Sequence, residues 1–427
     1  MRELEDRFRS LDRIDPPDLW NEAVLRAAEL ELTQRRQPSR TALLVAAALL
    51  LALLAGAIAV GARFIWPAPD LSSVQAENGM IVSVDQCGRL VRIEPSSGDT
   101  RELISGQRTC ASSGDFMRIR TAWSSDGRVL AYVMTPDCGA CFEPPSQESL
   151  DAGGAWVYDA QTGATRQLQG CPEMFCEEGD ISPDGSLVVF TAVTPAEDRW
   201  ALIVVEVAAG GTSRRVELPD RPGRPEFSPD GSRIVIGVDG GIASGLYAVD
   251  LRSEVSEATS LYDDIGLVEG SPTWSPNGEL IAFEAGNRAT LGLWVMRADG
   301  TGARQLDSAT PAEGPGVPAW SPDGTRIAYI RTPLQDGPQT FTLELWTVDV
   351  ESGQTSRLHE SPCCIGDWKA PEWSPDGQYI AFGVGVGDDF ADSGTAIIRA
   401  DGTDFRWVSV FPMEADWQPI PIRPPAD

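Results

Sequence analysis

Histidine is almost missing from this chain: it holds one, His359. That argues against triads built on a histidine base and against metal centres made from several imidazoles. A G-x-S-x-G nucleophile elbow, a phosphate-binding P-loop and an EF-hand loop are missing too. Positive charge is scarce, with 34 Lys and Arg against 63 Asp and Glu, a formal charge of −29. Residues 1–66 carry nine basic and nine acidic side chains, so residues 67–427 hold 25 against 54. An acidic domain with no basic stripe repels phosphate backbones, and no nucleic-acid partner is expected. Its acidity serves first to keep an exposed domain soluble.

What the chain does hold, near its start, is a run without charge. Thr41 to Gly61 reads TALLVAAALLLALLAGAIAVG, 21 residues. As a helix rising about 1.5 Å per residue it would cross a hydrocarbon core of about 30 Å. Arg35, Arg36 and Arg40 precede it and only Arg63 follows closely. The positive-inside bias therefore places the N-terminus in the cytoplasm, with Phe64 and Trp66 in the outer aromatic belt. A cleaved signal peptide is the rival reading, since Ala57-Ile58-Ala59 resembles a cleavage site. The length of the apolar run and of the segment before it favours an uncleaved anchor. The expected layout is a cytoplasmic tail (1–40), a signal-anchor helix (41–66), a linker (67–77), a large outer domain (78–419) and a C-terminal tail (420–427).

The outer domain is repetitive. Trp123-Ser-Ser-Asp-Gly127, Ile181-Ser-Pro-Asp-Gly185, Phe227-Ser-Pro-Asp-Gly231, Trp274-Ser-Pro-Asn-Gly278, Trp320-Ser-Pro-Asp-Gly324 and Trp373-Ser-Pro-Asp-Gly377 share one pattern, at glycine spacings of 58, 46, 47, 46 and 53. Pro-Asp-Gly supplies a tight turn, in which proline fixes φ and glycine takes positive φ. Period-2 strands follow, such as Leu280-Ile-Ala-Phe283 and Tyr379-Ile-Ala-Phe382. A second hairpin signal comes later in many units, as at Asp159-Ala-Gln-Thr-Gly163 and Asp299-Gly300. Four strands in about 46 residues is the period of a β-propeller blade. These units resemble the repeats of the TolB-type (WD-like) propeller family over residues 78–418. The resemblance implies an all-β propeller acting as an envelope interaction module. Similar propellers precede the α/β-hydrolase domain of prolyl-oligopeptidase-type enzymes; with about ten residues after the last repeat, none is expected here.

The ends set the blade count. Glu77-Asn78-Gly79 opens a strand without its preceding Trp, and Asp416-Trp417-Gln418-Pro419 ends without its following strands. Joined in one blade they give seven, with six as the alternative. Labelling each blade's strands a to d, the a–b and c–d turns share one face. The long loops, roughly 135–154, 170–179, 308–318, 361–371 and 385–393, share the other. All eight cysteines fall on that second face: Cys87, Cys138 and Cys141 in b–c loops, Cys110, Cys171, Cys176, Cys363 and Cys364 between blades. Local disulfides are expected, such as Cys87–Cys110, a Cys363–Cys364 vicinal bridge and pairs among Cys138, Cys141, Cys171 and Cys176. A zinc site from the last four is the alternative. Phe142, Phe175, Trp368 and Phe390, with Asp388 and Asp389, form a candidate aromatic–acidic binding rim on these loops. Packing of the loops on themselves explains the aromatics equally well.

In the tail, Asn21 to Arg35 reads as a helix, with Pro17 and Asp18 suited to its start. The layout of inner segment, one helix and outer sensor resembles membrane-bound anti-sigma regulators, without their zinc-binding His/Cys motif. The expectation is a membrane-anchored, extracytoplasmic, non-catalytic propeller without cofactor that binds a protein or envelope polymer. A signalling regulator binding a cytosolic protein through residues 1–34 is the alternative. An enzyme acting on glycans or peptides through acidic residues comes third.

Overall fold

The computed structural model describes residues 76–84, 90–104, 116–137, 153–171, 175–194, 199–208, 211–239, 243–253, 257–263, 272–286, 292–308, 318–331, 341–363, 370–384, 394–409 and 415–421. The expected tail, anchor helix, linker and residues 422–427 lie outside them. Among the described residues no helix is long and apolar enough to cross a membrane.

The described strands form seven sheets, each an antiparallel blade. Blade 6 is typical. Its innermost strand a is only Ala319–Trp320, followed by b (Arg326–Arg331), c (Phe341–Asp349) and d (Thr355–Cys363). Blade 1 joins the two ends of the sequence, as the terminal half-motifs predict. Ala415–Pro421 is its a strand and pairs with Ala76–Val84, and Leu90–Ile93 and Thr100–Glu102 complete it. This settles the count at seven.

The strands after the Asp-Gly turns alternate in sequence, which reads as burial on one face. In the fold both faces are covered, because blades stack on one another. Ile281, Ala282 and Phe283 are all fully buried. Ala282, Leu293 and Val295 of blade 5 pack with Trp320, Ile327, Tyr329 and Val348 of blade 6 in one apolar cluster. In five blades the c–d pairing slips at the same place, as at Leu293/Trp294 and Leu345/Trp346. A bulge there adds twist, which a radial blade requires.

Two expected loop positions are strand instead. The a strand of blade 3 runs Phe175–Ile181, with Phe175 paired to Val193 and Cys176 to Ala192. Its Glu-Glu-Gly segment reads as loop because a register shift between Cys176 and Gly179 hides the alternation. Cys363 likewise ends the d strand of blade 6, opposite Phe341.

Candidate functional site: the acid-lined central channel

The repeat turn determines what faces the propeller axis. In each turn the motif serine is buried and accepts the N–H of the first b-strand residues through Oγ, as from Arg326 to Ser321 at 2.9 Å. The same hydroxyl donates to the motif aspartate, Ser321 to Asp323 at 2.6 Å. The residue before the serine is apolar, and Ile181, Phe227, Trp274, Trp320 and Trp373 are buried there; Trp417, before Gln418, holds the same place in blade 1. Strand alternation then aims the residue one further back at the axis. Those residues are Ala122, Asp180, Glu226, Thr273, Ala319, Glu372 and Asp416, and all seven line one cavity of about 330 Å³.

Four of the seven are carboxylic acids, and among the described residues the one cationic side chain on the same wall is Arg224. Arg224 reaches across to the Thr121 carbonyl at 3.4 Å. Asp180 Oδ2 accepts the Phe227 N–H at 2.8 Å, and Glu226 Oε1 accepts the Trp274 N–H at 3.0 Å. Burial raises the Asp180 pKa above the usual carboxylate value, against the pull of Arg224 and the Phe227 N–H. Glu226 is pushed well above its usual value, first by burial and then by the charge of Asp180, with Glu372 adding to it. Two residues before Ala122 and Asp180 in their strands, Arg120 and Glu178 form an ion pair at 2.9 Å.

Sequence reasoning looked for a site on the long-loop face and missed this one. The signal was present, one residue before each aromatic, but it varies from acid to Ala to Thr and so breaks no repeat. Of the candidate rim, Phe142, Trp368, Phe390, Asp388 and Asp389 lie outside the described residues. Phe175 is placed in a strand, as given above. Among the cysteines, Cys171 and Cys176 form a disulfide and are buried. This is one of the expected local pairings, so these two are not open to a zinc site. Cys87, Cys110, Cys138, Cys141 and Cys364 lie outside the described residues. His359 stacks on Phe405 with ring centroids 4.2 Å apart, and burial lowers its pKa. It packs between the Phe382 and Phe405 rings.

Fold and axis together define a seven-bladed propeller whose blade seams meet around an acidic cavity. Its Trp-Ser-Pro-Asp-Gly repeats resemble those of TolB-type propellers. No family model matches the chain. It is 23% identical over 369 residues to the Tol-Pal system protein TolB of Gluconobacter oxydans, covering 72% of this chain and 77% of that one. It is 25% identical over 267 residues to an uncharacterized protein of Agrobacterium fabrum, covering 61% and 82%. An uncharacterized peptidase of Bacillus subtilis, YuxL, is 27% identical over 215 residues, and this chain spans only 29% of it. Among solved structures, a functionally unknown protein of Desulfotomaculum acetoxidans superposes with a TM-score of 0.51 at 14% identity, covering 80% of this chain and 98% of that one. An oligogalacturonate lyase superposes with a TM-score of 0.50 at 16% identity, covering 78% and 84%. These two likenesses concern the fold alone.

Proposed function

We propose that the chain is a membrane-anchored, extracytoplasmic propeller that binds a protein or an envelope polymer and does no chemistry of its own. The observation that carries this reading is the closed ring itself: seven blades, one of them sealed by strands from opposite ends of the domain, form a scaffold. Rigid scaffolds with loops on one face present binding surfaces. The similarity to a protein named for the Tol-Pal system supports a place in an envelope assembly. The apolar run Thr41–Gly61, with its arginines on one side, supports the anchor and its orientation.

Crosslinked affinity purification from membranes tests it, comparing the full chain with a variant lacking residues 2–34. Unchanged recovery of outer-surface partners is expected. A cytosolic protein lost only with the tail would overturn the pure binding role and make the chain a signalling regulator. One observation favours a second reading, an enzyme acting on glycans or peptides. A cavity carboxyl with a raised pKa, as at Glu226, is suited to general acid work. Screens of the purified protein with and without calcium, repeated with Glu226→Gln, decide between the two.

A further inference from the structure

Consecutive blades are tied together at the axis in two different ways. Between blades 5 and 6 and between blades 6 and 7 the axis residues are Thr273 and Ala319. There the next blade's indole closes the seam: Trp320 Nε1 donates to the Thr273 carbonyl at 3.1 Å and Trp373 Nε1 to the Ala319 carbonyl at 3.0 Å. Between blades 3 and 4 and between blades 4 and 5 the axis residue is an acid, and its side chain closes the seam. Asp180 takes the backbone N–H of Phe227, and Glu226 takes that of Trp274. Phe227 has no indole to offer, and the Trp274 Nε1–H is buried without a hydrogen-bond partner.

Two carboxyl groups thus span three consecutive blades and face one cavity. Asp180 is met by Arg224 and Glu226, and Glu226 by Asp180, Arg224 and Glu372. Asp416 lies on the same wall. The neighbouring strand Phe116–Trp123 carries Arg118 and Arg120, of which Arg120 is engaged by Glu178. Leu187–Thr194 and Thr273–Trp274, packed on either side, hold no charged residue. Val129–Asp137 holds its one acid at the end remote from the turn.

We propose that Asp180 and Glu226 act as a proton-linked latch: the folded ring retains a proton on this pair, and losing it as the pH rises leaves like charges facing one another at the axis and destabilises the closed ring. One guanidinium does not balance the carboxylates around it, and their half-buried place on the channel wall weakens the screening that water gives exposed groups. Both groups are accordingly held above their usual values. The folded state therefore binds protons that the unfolded chain has released. This favours folding most below the ordinary carboxyl value of about 4, and the benefit is lost as the pH rises through the raised values. Because the two groups interact, the proton belongs to the pair rather than to either residue.

The test uses the full chain purified in detergent, as wild type, Asp180→Asn, Glu226→Gln and the double variant. An amide oxygen still accepts the seam N–H, so each variant keeps its hydrogen bond. Thermal midpoints are measured between about pH 5 and 8. His359, with its lowered pKa, acts in the opposite direction and equally in all four proteins. The expected result is that either substitution raises the midpoint at pH 8 relative to wild type and flattens the wild-type decline with pH. Infrared difference spectra supply a second readout, a protonated-carboxyl stretch at pH 6 that disappears in the double variant. Variants that keep the wild-type pH profile, or a wild type lacking the carboxyl band, would overturn the proposal.

Discussion

Glycine at the end of each a–b turn looks like one requirement repeated, but the structure assigns it different weights. Gly353, in a c–d turn, has φ of 70° and nothing within 4 Å of where a Cβ would stand. Gly127 has φ of 63°, and a Cβ there would lie 1.8 Å from the Pro419 carbonyl oxygen. The difference arises at the closing blade, where Gln418 Nε2 donates to the Gly127 carbonyl at 2.7 Å and draws the C-terminal strand against the turn. Gly353→Ala is expected to cost only the left-handed backbone penalty, about 1–2 kcal/mol. Gly127→Ala is expected to cost more than twice that, since backbone must move. Urea unfolding of the two variants side by side checks the ranking. The motif serine gives a third case at this scale. Ser321→Ala leaves the buried N–H of Arg326 without its acceptor and is expected to cost about 1–3 kcal/mol.

At the scale of strands and seams, Trp274 and Trp373 form a matched pair. Each is buried at the end of an a strand, with an arginine over its ring: Arg233 at 4.7 Å and Arg326 at 4.8 Å. Only Trp373 donates through its indole. Trp373→Phe is therefore expected to destabilise by about 1 kcal/mol more than Trp274→Phe, the net worth of one hydrogen bond. Equal losses in chemical denaturation would show that the indole bond contributes nothing to the seam. The Cys171–Cys176 bridge belongs to this scale too, because it ties an inter-blade connection to the a strand of blade 3. Closing so short a loop is worth about 2 kcal/mol by chain entropy, and Cys176→Ala should lower stability by that order under oxidising conditions. Much of this architecture was legible in the sequence. Trp-Ser-Pro-Asp-Gly announces a strand, a turn and a strand, and the unmatched Asn78-Gly79 and Trp417 announce how the ring closes. The axis was not legible, because the channel residue occupies a position that tolerates Ala, Thr and acid alike. The strand at Phe175–Ile181 was not legible either, since its register shift removes the period-2 signal.

For the molecule as a whole, two sets of acids pull the pH dependence in opposite directions. Turn aspartates sit in hydrogen bonds that hold them ionised. Burial opposes this at Asp230, yet Ser228, Ser232 and Arg252 lower its pKa to about 2. Asp299, Asp349 and Asp401 are lowered by the Thr301, Ser352 and Thr403 side chains and N–H groups beside them. The stability these groups confer is complete above the unfolded value of about 4 and is lost as the pH falls through their depressed values. Since the channel acids act from that range upward, the ring should be most stable in mild acid. The charge of −29, all of it in excess over residues 67–427, adds a diffuse repulsion that grows as carboxyls ionise. Salt screens such repulsion between exposed groups over about 10 Å at 0.1 M, but reaches buried pairs far less. Raising salt from about 0.02 to 0.2 M should therefore raise the midpoint of unfolding at pH 8 more than at pH 5. It should do so without erasing the difference between wild type and Glu226→Gln, because that difference arises inside the channel. A salt series on both proteins separates the two sources: loss of the difference at high salt would place the destabilising charge on the surface rather than at the axis.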